Sequence, residues 1–136
     1  MRKLLIPLLA ALAFPTAVNA ETWILVHTHS NGGYSRYIDA SSVVKNGSWR
    51  YANLKYTSTT GGGHESGIKV DCKEQIYIYS TGQFGVPINI KYKRKSKNYW
   101  VTDKNTYASS EKEAEISEDD NKLNEGIYQF LCKQWK

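Results

Sequence analysis

A chain of 136 residues with 18 basic and 13 acidic side chains, a formal charge of +5 and 40% hydrophobic residues holds one domain with a core large enough to fold. So mild a basic balance is not the footprint of a dedicated nucleic-acid binder, and no apolar run is long enough to span a bilayer. Ten tyrosines and four tryptophans favour strands, which accept aromatic side chains on a half-buried pleated surface.

The chain opens with Met1-Arg2-Lys3, continues apolar from Leu4 to Phe14 and reaches the small-residue pattern Val18-Asn19-Ala20. This is the layout of a secretory signal peptide over 1–20, too short and too broken by Pro7 and Pro15 to be a membrane span. Removing 20 residues from 136 leaves a mature domain of 116, residues 21–136, and loss of Arg2 and Lys3 lowers the charge from +5 to +3. The expected location is the periplasm or the secreted fraction, with no transmembrane segment in the mature chain. In that compartment two cysteines, Cys72 and Cys132, read as one disulfide.

Residues 23–27 form the first expected strand, Ser30-Asn31-Gly32-Gly33 a turn, and 34–38 a second strand. Asp39 is placed to cap a short turn, and Asn46-Gly47 to close a tight hairpin. Over 48–57, Trp49 and Tyr51 fall on one face and Ala52, Leu54 and Tyr56 on the other. Gly61-Gly62-Gly63 reads as a hairpin tip. In 68–72, Ile68, Val70 and Cys72 alternate with Lys69, Asp71 and Lys73, which turns the cysteine toward the core. Further strands are expected at 75–79, 86–92 and 99–102, with a turn at Thr81-Gly82, and residues 103–118 read mostly as loop.

The period then changes to that of a helix, with Leu123, Ile127, Phe130, Leu131 and Trp135 on one arc and Lys122, Glu125, Gln129 and Lys133 on the other. Ser117 and Asp120 have the spacing of a capping box, and Glu118, Asp119 and Asp120 suit the positive end of the helix dipole. Cys132 borders the apolar arc, so a bond to Cys72 would dock the helix on the sheet. The expected fold is α+β, an antiparallel sheet of about six strands with a C-terminal amphipathic helix held on one face by the disulfide.

Lys91, Lys93, Arg94, Lys95 and Lys97, accompanied by Tyr99 and Trp100, form the candidate binding patch. Such a cluster suits an acidic protein or a polyanion at the envelope or host matrix, while export argues against a physiological nucleic acid. A solvated turn between strands is the structural alternative. The acidic run Glu111, Glu113, Glu115, Glu118, Asp119 and Asp120 could clasp that patch within one molecule or across a homodimer. His27, His29 and His64 lack the motif of a metal site, and no cofactor is expected. Asp39 and Asp71 could serve as an acid–base pair only if folding joined them, and both read more simply as a turn cap and a solvent-facing strand residue. No nucleophile motif is present, and both cysteines are committed to the disulfide, so no catalytic residue is assigned.

The sequence resembles the surface-adhesin protein E family of small exported bacterial proteins. The resemblance rests on Trp23, on Tyr37-Ile38-Asp39-Ala40-Ser41-Ser42-Val43, on Ser66-Gly67-Ile68-Lys69-Val70-Asp71-Cys72-Lys73, and on Tyr128-Gln129-Phe130-Leu131-Cys132. It implies a sheet of about six strands with a disulfide-docked terminal helix, and an exported, non-catalytic binding or adhesin-like module. Ala20 stands where a lipoprotein member has a cysteine, so no lipid anchor is expected. A small secreted hydrolase, or an inhibitor of a host or rival enzyme, is the alternative reading.

Overall fold

The computed structural model describes residues 22–83, 86–102 and 113–135, leaving aside the side chains of 81–88. The leader read at 1–20 and Glu111 of the acidic run lie outside them. The strands are β1 (Trp23–Thr28), β2 (Tyr34–Asp39), β3 (Val44–Asn46), β4 (Trp49–Ser58), β5 (Gly63–Asp71), β6 (Ile76–Gln83), β7 (Val86–Ser96), β8 (Tyr99–Thr102) and β9 (Ala114–Glu115). Helix α1 (Glu118–Tyr128) runs on into a π-helical segment, Gln129–Gln134. One antiparallel sheet carries the order β1-β2-β4-β5-β6-β7-β8-β9, with β3 paired beside β4, and α1 lies across one face of it.

Short connections between sequential neighbours make this meander, and local signals place most of its turns. Asp39 caps the 3₁₀ turn Ala40–Ser42 by accepting from the Ser41 N–H at 3.0 Å and the Ser41 hydroxyl at 2.6 Å. The β3–β4 hairpin turns at Gly47-Ser48, one residue later than expected, because Asn46 still pairs with Trp49 and Gly47 alone takes a positive φ, +61°. No turn forms at Thr81-Gly82. Their backbones pair with Ile88 and Pro87, so β6 continues to Gln83. The stretch read as loop at 103–118 contributes β9, and with β3 it brings the sheet to nine strands among the described residues rather than about six.

Cross-strand partners share a face, so the register lists the core directly. Ile38 opposes Leu54, Ala52 opposes Ile68, and Val70 opposes Tyr77, all of them buried. Leu123, Ile127, Tyr128 and Leu131 cover them from the helical segment. Burying each large apolar side chain contributes roughly 1.5–3 kcal/mol. At the helix start the Ser117 hydroxyl accepts from the Asp120 N–H at 3.1 Å, as the capping spacing predicts.

Cys72 and Cys132 are bonded, with Cα atoms 5.6 Å apart and 60 positions between them. The strand ends at Asp71, so Cys72 opens the β5–β6 turn, from where it reaches Cys132 on the helix side as the alternation predicts, and its N–H donates to the Ser48 carbonyl at 2.8 Å. Asp71 differs from expectation. It is only 7% exposed because its carboxylate turns back to accept from the Lys73 and Glu74 N–H groups at 3.0 and 3.2 Å.

Gly126 is where the helix comes closest to β1. A Cβ there would stand 2.7 Å from the Val26 carbonyl oxygen, a backbone atom that cannot swing aside. A glycine inside a helix costs about 1 kcal/mol against alanine, so its place here reflects packing. Gly126→Ala is therefore expected to lower stability, by about 1–3 kcal/mol, because overpacking exceeds the gain in propensity. Urea unfolding of the two proteins checks this, and an unchanged midpoint would mean that β1 yields.

Candidate functional site

The basic run does not form one patch. Period two along β7 sends Lys91 and Lys93 to the face away from the helix, opposite Ile78 and Ile76, and Arg94 to the other. Lys95 pairs with Glu113 at 2.9 Å, and Lys97 is exposed in the β7–β8 turn. Tyr99 is 42% exposed, whereas Trp100 is fully buried. The Lys95–Glu113 contact closes within one molecule one of the pairings that a charge-clasped dimer would use.

Arg94 and Trp100 are instead spent on Glu125. Arg94 grips that carboxylate in bidentate fashion, Nε to Oε1 and Nη2 to Oε2, each at 3.0 Å. The Asn98 N–H donates at 2.9 Å, Trp100 Nε1 at 3.1 Å and Gln129 Nε2 at 2.8 Å. Asn98 reaches the carboxylate from a left-handed φ of +59°, a conformation asparagine tolerates. Burial alone would push the Glu125 carboxyl up, but these donors outweigh it and hold the group down at about 2. Arg94 and Trp100 are thus both engaged in this internal contact.

His27 and His29 converge on Asp119 in the first turn of α1, Nε2 to Oδ1 at 3.0 Å and Nε2 to Oδ2 at 3.1 Å, and the Ser30 N–H and hydroxyl add bonds of 3.0 and 2.8 Å. Burial pushes the Asp119 carboxyl up, and the Ser30 and histidine contacts more than reverse it, so it stays below the ordinary carboxylate range. His64 stands apart, at the far end of a row of rings that runs His29, Tyr34, Tyr56, His64 with centroids 4.4, 5.2 and 5.0 Å apart. Asp39 and Asp71 end as separate turn caps.

Tyr34, Tyr56 and His64 of that row line a cleft of about 450 Å³ between the sheet and the first turns of α1. Tyr34, Arg36, Tyr56, His64, Tyr79 and Tyr92 come from the strands, and Asp120, Leu123 and Asn124 from the helix. Antiparallel register builds it, since Arg36 opposes Tyr56 and Tyr56 opposes His64. The Arg36 guanidinium lies 5.0 Å from the Tyr34 ring centre and 4.7 Å from that of Tyr56, and it has no carboxylate partner among the described residues. The Tyr79 hydroxyl accepts from the Ser66 hydroxyl at 3.1 Å and lies 3.4 Å from His64 Nε2. Asn124 is 2% exposed, yet its Nδ2 has no hydrogen-bond partner among the described residues.

Concave, ring-lined and furnished with a few unspent polar groups, the cleft has the make-up of a small-ligand site. Sequence reasoning missed it because its members are spread over 91 positions, from Tyr34 to Asn124, and each reads alone as an ordinary strand or helix residue. One signal was available. Tyr34, Arg36 and Ile38 alternate onto one face, and an arginine on a core-facing column calls for a reason.

The Glu125 cluster sets the acid stability. Its folded value lies below the ordinary 4.5, so the stabilisation is complete above about pH 4.5 and is lost as pH falls toward 2. At pH 7, Glu125→Gln is expected to cost about 3 kcal/mol by taking the counter-ion from the part-buried Arg94 and mismatching the donors gathered on a buried carboxylate. The gap to wild type should shrink between pH 4.5 and 2, by on the order of 3 kcal/mol. Urea titrations at stepped pH measure it, and a constant gap would contradict the assignment. In comparisons with known proteins no family model matches the chain, and neither a curated protein nor a solved structure matches it.

Proposed function

We propose that the chain is an exported, non-catalytic binding module of the bacterial envelope, adhesin-like in the sense of the surface-adhesin protein E resemblance, and that its ligand enters the tyrosine and arginine cleft. The observation that carries this reading is Arg36, a cation poised over two tyrosine rings on the core-side face of the sheet with no carboxylate of its own among the described residues. The guanidinium is part-buried and lines the open cleft, so its donors are free to meet an anionic group of a ligand. The disulfide supports an oxidising compartment, the periplasm or beyond. Tyrosine supplies broad, rigid contact area at low entropic cost, which suits recognition better than chemistry.

The test is retention of fractionated envelope and host-matrix material, polysaccharide as well as protein, on immobilised mature chain. Arg36→Gln with Tyr56→Ala should lose at least one retained fraction, whereas Lys91→Gln with Lys93→Gln should keep it. If the cleft variant retains every fraction, the cleft is not the site, and if only the lysine variant loses one, the opposite sheet face is.

A further inference from the structure

We infer that the cleft takes an acidic saccharide, a chain of pyranose rings of which one presents a carboxylate to Arg36; this rests on the cleft being the binding site. The guanidinium offers planar paired N–H donors that match a carboxylate in geometry as well as charge. It lies over the Tyr34 and Tyr56 rings, 5.0 and 4.7 Å from their centres, so the ring surface next to the anion site is the part of these rings it leaves uncovered, with Tyr79 and Tyr92 further along the cleft. The C–H faces of a pyranose pack on such rings through many weak contacts.

The helix side narrows the choice. Asp120 lines the cleft there as an acceptor, so it repels a second anion but takes hydrogen bonds from hydroxyl groups. A densely charged phosphate or sulfate polymer would bring charge against it. A uronic acid carries one carboxylate and several hydroxyls per ring. Asn124 lines the cleft with its Nδ2 buried and unpaired among the described residues, a donor that a turn of the amide toward the cleft would bring to a ring or hydroxyl oxygen. A purely apolar ligand would leave that donor unsatisfied.

The experiment titrates isotope-labelled mature chain with a galacturonate hexamer, with its fully methyl-esterified counterpart and with a peptide ending in a tyrosine carboxylate, following backbone amides by nuclear magnetic resonance. The acid hexamer should shift the amides of Arg36, Tyr56 and Asn124, and the ester should bind roughly ten- to a hundredfold more weakly, the range for a hydrogen-bonded charge. Arg36→Gln should weaken the acid form by a similar factor and leave the ester unaffected. Asn124→Leu should weaken the acid hexamer while its urea midpoint holds or rises, since an apolar group replaces an unpaired polar one. Equal binding of acid and ester, or tighter binding of the peptide than of the hexamer, overturns the inference. So does a hexamer that shifts no cleft amide while Arg36 and Tyr56 still govern retention of envelope fractions, an outcome that leaves the cleft reading standing; loss of that dependence removes both.

Discussion

The placement of helix α1 decides what this sheet can do, and the buried Glu125 carboxylate is the contact on which that placement depends. Five N–H groups converge on it, two from Arg94 and one each from Asn98, Trp100 and Gln129. They come from the β7–β8 hairpin and from the next turn of the helix itself. A carboxylate at 4% exposure is stable only when its lone pairs are taken up this fully. Losing Arg94 would leave that charge without its counter-ion, and each further donor fixes its direction, so the cluster holds the hairpin against the helix.

The remaining restraints are arranged along the same helix. Asp119 ties its first turn to His27 near the end of β1 and to His29 and Ser30 in the β1–β2 turn, while Cys132 ties its far end to the β5–β6 turn. Between them Gly126 lets the helix approach the β1 backbone. A loop of 60 residues closed by the disulfide removes unfolded-state entropy worth roughly 4 kcal/mol in the chain-entropy model. Fixed at its start, middle and end, the helix packs on β1 and β8 and leaves the outer parts of β2, β4, β5 and β6 uncovered on that face. The cleft is the space so left.

Much of the fold was legible because its signals are local. Period two in β4 and β5, the change to helical period after Ser117 and the cysteine pair each depend on residues close in sequence or on simple counting. The same alternation could have separated Arg94 from Lys91 and Lys93, since adjacent strand residues face opposite ways; grouping five charges by proximity in sequence hid their division between two faces. The short strands β3 and β9 were beyond reach, because two or three exposed residues carry no period. Gly126 was likewise invisible, as its role is a clearance from a strand a hundred residues away.

A further regularity separates the cleft from an ordinary wet edge. Ile38 and Leu54 face each other in the core, and one step further along the same face Arg36 faces Tyr56, with His64 opposite Tyr56 on the next strand; Tyr79 joins them from β6, where it opposes Ile68. If those outer positions only had to meet water, short polar or flexible charged side chains would serve, at less exposure of ring surface. If they only had to extend the core, they would be aliphatic and covered. Rings with hydroxyl tips around one guanidinium answer neither demand, but they do answer the demand of a surface that must be part-apolar and part-polar in turn, open when alone and closed when filled. The cleft opens along the first turns of α1, so the restraints that seat the helix also define where the proposed recognition surface begins.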